Sequence, residues 1–139
     1  MALHTKTVVN LMYTSRIIED SVAGTLKPFG LSLQQYNVMR ILRGQKGKPA
    51  NLSTIQERMI DKSSNTTRLV DKLIKKGWVE RSICEQNRRK VEILITPEGL
   101  DVLSQLDPVM ENHNKTMLKN LSENDLEHLN LFLDTLRAK

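Results

Sequence analysis

The sequence predicts a mainly α-helical chain carrying one small β-hairpin. Three patterns in its 139 residues point there. Apolar side chains recur at three- and four-residue spacing over 4–26, over most of 32–77 and again from 97 onward. Between 79 and 95 the period changes, and two β-branched runs, VERSI and VEILI, flank the polar stretch CEQNRRK. Turn and cap residues (Pro28, Gly30, Ser32, Gly77, Thr96) fall where one pattern stops and the next begins.

The first helix, over 4–26, carries Val8, Leu11, Met12, Ile18, Val22 and Leu26 on one stripe. Pro28 and Gly30 end it, because proline lacks the backbone donor and glycine accepts the turn. The second runs from Ser32, as N-cap, to about Arg43 and buries Tyr36, Met39 and Leu42. GQKGKP reads as a loop. A short third helix over 52–59 is expected to start with a capping box of Ser53 and Gln56, with Leu52, Ile55 and Met59 inward. Asp61 and Lys62 make the turn. The fourth is expected to start at Ser63 and end at Gly77, a residue suited to the left-handed C-terminal position. Two short helices joined by a tight turn, the second strongly basic, form a helix-turn-helix. Thr96-Pro97-Glu98 then restarts a helix in the favoured order of hydroxyl cap, proline and acid.

From there the chain reads helical to its end, interrupted near Asn120–Ser122. Leu126, Leu129, Leu133 and Leu136 are spaced like a coiled-coil seam, which Leu131 and Phe132 broaden. That is more apolar surface than one small domain buries with ease. A two-fold homodimer through both chain ends solves the problem economically.

Composition narrows the function classes. A 39% hydrophobic and 27% charged chain is globular rather than disordered or fibrous. No apolar run approaches the roughly 18 residues that span a bilayer, so no membrane partner is expected. MALHTKTVVN lacks the basic, apolar and cleavage regions of a signal peptide. The lone Cys84 cannot close an internal disulfide. A cytoplasmic protein is the expectation. The overall charge of +5 is unevenly spread. Residues 62–90 hold nine basic groups against three acids, residues 1–61 eight against four, and residues 91–139 four against nine. A polyanion-facing part joined to an acidic part sorts charge in this way, although a solvated basic surface would also tolerate it.

With about 100° per residue, Thr66, Leu69, Val70, Leu73 and Ile74 share one arc of the fourth helix. Ser64, Arg68, Asp71, Lys72 and Lys75 take the opposite arc, with Asn65 and Thr67 at its margins. Hydroxyls, an amide, an arginine and two lysines can bond base edges and phosphates in a major groove that admits a helix. The helix N-terminus adds free N–H groups. An ordinary solvated helix also turns lysine outward, but this face carries only one acid, and its first turn is Ser-Ser-Asn-Thr-Thr rather than glutamate-rich. At the hairpin tip, Arg88-Arg89-Lys90 is a compact cationic point able to enter a narrow minor groove or simply to keep the hairpin soluble.

These residues resemble the MarR family of bacterial winged-helix transcription regulators, with a match over nearly the whole chain that is densest at 32–99. LSLQQYNVMRILRGQKGKP looks like the family's second helix. SSNTTRLVDKLIKKGWVERSICEQNRRKVEILITPEGL looks like its recognition helix, wing and start of the fifth helix. The runs Thr67-Arg68-Leu69-Val70, Lys76-Gly77-Trp78-Val79 and Leu94-Ile95-Thr96 with Gly99 are specific in combination. The resemblance implies one chain over 1–139 with a winged helix-turn-helix over 32–99 and a helical dimerisation region formed by 1–31 and 100–139, and a homodimer with two winged lobes on a pseudo-palindromic operator in double-stranded DNA. It places Ser63, Asn65, Thr67 and Arg68 near bases and phosphates and Arg89 in the minor groove. Ser53, Ser64, Lys72, Arg88 and Lys90 complete the candidate DNA-binding set. The family wing usually carries an aspartate two positions before its arginine. Asn87 stands there in this chain, and an amide cannot hold the arginine by charge.

The resemblance also implies a small aromatic effector bound between the helical region and the DNA lobes, with Tyr13, Ile17, Phe29, Met39 and Met110 as candidate lining residues. These five are equally explained as core. Such a ligand would favour a dimer whose recognition helices no longer match operator spacing. The residues give enzymatic function little support, and no cofactor is expected. His4, His113 and His128 lie far apart in sequence, with no His-x-x-x-His pattern, no clustered acids and no phosphate-binding glycine loop. Cys84 reads as an ordinary wing residue. The leading expectation is a sequence-specific DNA-binding repressor. The alternative is a winged-helix protein-interaction module with weak or no DNA binding.

Overall fold

In the computed structural model, which describes residues 1–88 and 90–139, the chain runs α1 (Leu3–Leu26), a 3₁₀ turn (Lys27–Phe29), α2 (Leu33–Gly44), α3 (Leu52–Arg58), α4 (Thr66–Lys75), β1 (Val79–Ile83), β2 (Val91–Ile95), α5 (Pro97–Met117) and α6 (Glu123–Arg137). Most boundaries follow from identifiable caps. Gly30 stops the 3₁₀ turn at φ 73°, left-handed backbone that glycine adopts without strain. Ser32 and Gln35 cap α2 reciprocally, each side chain bonding the other's backbone N–H at 3.1 Å. Gly77, at φ 79°, ends α4 in a Schellman motif, with its N–H on the Ile74 carbonyl and that of Trp78 on Leu73. Thr96 accepts from the Gly99 N–H at 3.0 Å while donating to the Gly77 carbonyl at 2.7 Å, so one hydroxyl caps α5 and ties it to the end of α4.

Two helix starts differ from the sequence expectation. Asn51, not Ser53, caps α3, its Oδ1 accepting from the Thr54 N–H at 2.7 Å. The preceding Ala50 is paired with Ile93 of β2, so the chain leaves that bridge and turns directly into the helix at Leu52. Ser53 therefore lies within the first turn. Likewise α4 begins at Thr66 with Asn65 as its cap, three residues later than Ser63. Residues 63–65 are spent on a side-chain-stabilised turn, because Asp61 bonds Ser63 and draws the backbone away from helix.

The two strands pair antiparallel from Val79↔Ile95 to Ile83↔Val91. The core lies where α2 packs against α1, α4, α5 and β2. It is built from Leu26, Val38, Met39, Leu42, Ile55, Val70, Leu73, Ile93, Leu103 and Leu106, all essentially inaccessible. Each such side chain contributes roughly 1.5–3 kcal/mol through burial. The chain ends behave differently. Among the described residues α6 buries no side chain and α1 buries only Leu26. Val8 and Met12 are exposed, and the leucine seam of α6 is at best half-buried.

Candidate nucleic-acid interface

The interface is set by the turn between α3 and α4. Asp61 Oδ1 accepts from the Ser63 N–H at 2.9 Å and from its hydroxyl at 2.6 Å. The Ser63 hydroxyl, then the Ser63 N–H, hold this carboxyl below the usual carboxylate range. From the other side, Gln56 Nε2 donates to the Lys62 carbonyl at 2.8 Å, while its Oε1 accepts from the buried Thr66 hydroxyl. Lys62 Nζ donates back to the Glu57 carbonyl. Asn65 Oδ1 then accepts from the Arg68 N–H at 3.1 Å and caps α4. These bonds aim α4 as a unit.

Thr66, Val70 and Leu73 anchor α4 in the core, which leaves Thr67, Arg68, Lys72 and Lys75 outward and exposed. The single acid on that side, Asp71, pairs with Arg81 of β1 at 3.4 Å. The pair removes the one negative charge from the face and braces α4 against the hairpin. Nothing in local spacing marks this pair, since its members lie on different elements. At the other end of the helix Lys76 Nζ donates to the Gly30 carbonyl at 2.8 Å and sits 4.9 Å from the Trp78 ring centre.

The other candidates divide. Ser63 is exposed, but its hydroxyl is committed to Asp61. Ser64 is turned inward rather than outward. Its Oγ is buried without a hydrogen-bond partner among the described residues, because the position precedes the helix on which the outward reading depended. Ser53 is exposed and shares a hollow with Asn87 and Lys90 of the hairpin loop. Arg88 and Lys90 are exposed. The backbone there is closed by Cys84 N–H to the Lys90 carbonyl at 3.0 Å and Lys90 N–H to the Asn87 carbonyl at 2.9 Å. Arg89 lies outside the described residues. The structure thus gathers Ser53, Asn65, Thr67, Arg68, Lys72, Arg88 and Lys90 on the lobe formed by α3, α4 and the hairpin, with Lys75 beside them.

Residues 31–91 match the MarR family. The winged-helix lobe belongs to that family. Among similar proteins, the transcriptional regulator PecS of Dickeya dadantii is 29% identical over 126 residues, which is 88% of this chain and 75% of PecS. A mutant MarR from E. coli complexed with operator DNA superposes with a TM-score of 0.84 at 19% identity, covering 99% of this chain and all of that one. BpsR of Bordetella bronchiseptica, whose DNA binding is regulated by 6-hydroxynicotinic acid, gives 0.83 at 18%, covering 96% and 99%. The two structures establish the MarR fold for the whole chain. The sequence relative is a transcription regulator rather than an enzyme. None of the described helices is long and apolar enough to cross a membrane.

Behind the winged lobe lies a cavity of about 670 Å³ between α1, α2, α5 and α6, reaching the α3–α4 turn. Val22, Tyr36, Asn37, Arg40, Ile60 and Met110 are among its walls. At its edge Arg43 Nη1 straddles both oxygens of Asp107, at 3.1 and 2.9 Å, joining α2 to α5. Of the five candidate ligand residues, Met110 lines this cavity. Met39 is in the core, Phe29 is half-buried against it, and Tyr13 and Ile17 stand exposed on α1. The five are not brought together. His113 Nε2 bonds the Ser21 hydroxyl at 2.7 Å, and His128 stacks on Phe132. Among the described residues no cluster of three or more His, Cys, Asp or Glu could hold a metal.

Proposed function

We propose that this MarR-family regulator is a homodimeric, sequence-specific DNA-binding repressor whose two lobes, 32–99, sit on a pseudo-palindromic operator. One observation carries the reading. The exposed face of α4 presents Thr67, Arg68, Lys72 and Lys75 with no unpaired acid among them, because Asp71 is held by Arg81. Such a face bonds base edges and phosphates in the major groove. The hairpin cations Arg88, Arg89 and Lys90 follow the adjacent phosphates or minor groove. The segments 1–31 and 100–139 form the dimerisation region. Their exposed apolar side chains support that role, and two lobes then meet half-sites about one helical turn apart.

The cavity behind the lobe is the place for a small aromatic effector that shifts the dimer away from operator spacing. The Bordetella relative named above supports an effector of this kind.

The decisive experiment is selection of bound fragments from the host's genomic DNA, with Arg68→Ala beside the wild type. A short inverted repeat recovered by the wild type and lost by the variant supports the repressor. The variant's affinity for that repeat is expected to fall by about 1–3 kcal/mol. Unsorted fragments, equal in both, would leave a winged-helix interaction module instead.

A further inference from the structure

Among the described residues, polar side chains tie the winged lobe to the helical segments proposed to dimerise at two places. At the first, Lys76 Nζ donates to the Gly30 carbonyl at 2.8 Å, across 46 positions of sequence. Lys76 is the C-terminal cap of α4, and Gly30 closes the turn that carries α1 into α2. The ammonium also sits 4.9 Å from the Trp78 ring centre, which holds it from a second side. Gly30 leaves room for the contact. Its backbone is left-handed at φ 73°, and a Cβ there would stand 3.1 Å from the same Nζ. Lys72 and Lys75 stand on the outward face of α4, whereas Lys76 reaches back to the segment that precedes the lobe.

The second tie is the grip of Arg43 on both oxygens of Asp107. Asp107 directly precedes Pro108, the proline inside α5. Proline has no N–H to give the carbonyl one turn back, so α5 lacks a backbone bond beside the point that Arg43 braces. Gly30 precedes α2 and Arg43 lies in its last turn, so the two ties are separated by about 18 Å of helix. One contact alone would be a pivot, and two so far apart oppose rotation. Lys76 is exposed and the Arg43–Asp107 pair lies near solvent, so neither adds much to global stability. What such contacts fix is an angle.

We infer that Lys76, seconded by Arg43, sets the angle of the winged lobe against segments 1–31 and 100–139, and through it the half-site spacing that a pair of lobes accepts. The inference rests on the homodimeric repressor reading and adds to it the residues that determine spacing. Within its lobe α4 is already held by the Asp61–Ser63 turn and by the Asp71–Arg81 pair. Lys76 joins it to the chain outside the lobe. It is a positioning residue, acting on DNA through α4 rather than touching it. Small angular errors matter because one added base pair moves the second half-site by roughly 3.4 Å along the axis and about 35° around it.

Lys76→Met keeps the apolar stem and removes the donor, while Lys76→Arg keeps both the donor and the ring contact. Each is titrated with the selected inverted repeat, with copies two base pairs longer or shorter between half-sites, and with one half-site. The wild type is expected to lose at least about tenfold in affinity when the spacing changes. Lys76→Met is expected to bind all spacings within a few-fold of one another, with half-site affinity and melting temperature near wild type. Lys76→Arg is expected to restore the preference, and Arg43→Gln to flatten it as Lys76→Met does. A wild-type spacing preference in Lys76→Met would overturn the inference. So would an equal loss on the half-site with a salt dependence lower by about one ion, the mark of a phosphate contact. A lower melting temperature with the spacing preference intact would make the contact structural only. Lobe angle is also read without DNA, from the distance between nitroxides on Glu57→Cys of α3 and Asn10→Cys of α1, both exposed positions. The labelled chains carry Cys84→Ser and are diluted into unlabelled protein, so each distance lies within one chain. Lys76→Met is expected to broaden that distance and Lys76→Arg to leave it narrow. If no inverted repeat is selected but the distance broadens, the repressor reading falls and the tie stands. If a repeat is selected and neither distance nor spacing responds, the inference falls alone.

Discussion

Gly99 is the position at which one methyl group would do most damage. A Cβ built there would lie 2.2 Å from the Trp78 carbonyl oxygen and 2.8 Å from Ile95 Cγ1. The first clash is with backbone, and that backbone is pinned by the Thr96 N–H on the Trp78 carbonyl at 3.0 Å. Gly99→Ala is therefore expected to lower stability by about 2 kcal/mol or more, since relief requires moving either β1 or α5. Gly24 is the internal control. It lies within α1 with nothing inside 4 Å of its Cβ position, so Gly24→Ala is expected to raise stability by about 0.5–1 kcal/mol. Urea denaturation of both variants checks the pair, and equal effects would remove the close-approach explanation for Gly99. The sequence signalled Gly99 through its place in a family pattern. The reason for it is tertiary and invisible along the chain. The same holds for Lys76 and Gly30, whose contact joins positions 46 residues apart.

At the level of elements, most of the fold was legible because local chemistry and tertiary packing agree. The capped start of α2, the two strands of the hairpin and the Thr96-Pro97 start of α5 all lie where their residue types put them. The α3–α4 turn is where the reading slipped, and the cause is specific. Ser63 has the right chemistry for an N-cap, but Asp61 captures its N–H and hydroxyl first, so Asn65 caps instead. This displaces the start of α4 by three residues and turns the Ser64 hydroxyl inward. It also makes the turn responsive to acid. Asp61 has its carboxyl lowered chiefly by the Ser63 hydroxyl. A group whose pKa is lower in the folded state contributes its stability above the unfolded value and loses it as pH falls through the folded one. Asp61→Asn retains an acceptor without the charge. The variant is expected to be less stable than the wild type at neutral pH, with the gap closing as pH falls through the ordinary carboxylate range and below it. Denaturation curves across that range test it, and a gap independent of pH would show that the carboxylate's charge is not what holds the turn.

For the whole molecule, the unsolved quantity in a single chain is its apolar surface. Phe132 is 67% and Leu136 66% exposed on α6, and Met12 is 68% exposed on α1, while these helices bury almost nothing of their own. Exposed apolar side chains of this size mark contact surfaces when they gather into a patch. A two-fold contact uses the same patch twice, and a stable one removes about 800 Å² from each partner. The leucine seam announced this surface in the sequence, since no arrangement of one short chain could cover it. The consequence reaches the operator. In the proposed dimer, two lobes on one frame would convert the second half-site contact into an intramolecular event, which a monomer would forfeit. Phe132→Glu combined with Leu136→Glu changes only exposed side chains, so each chain is expected to keep its fold and its near-wild-type melting behaviour at high protein concentration. Sedimentation is expected to show the mass fall from two chains to one, and affinity for the full inverted repeat to fall at least about a hundredfold, while affinity for an isolated half-site stays within a few-fold. A variant that sediments as one chain yet binds the full repeat as tightly as the wild type would show that one lobe suffices, and would remove the two-fold frame from the account of recognition.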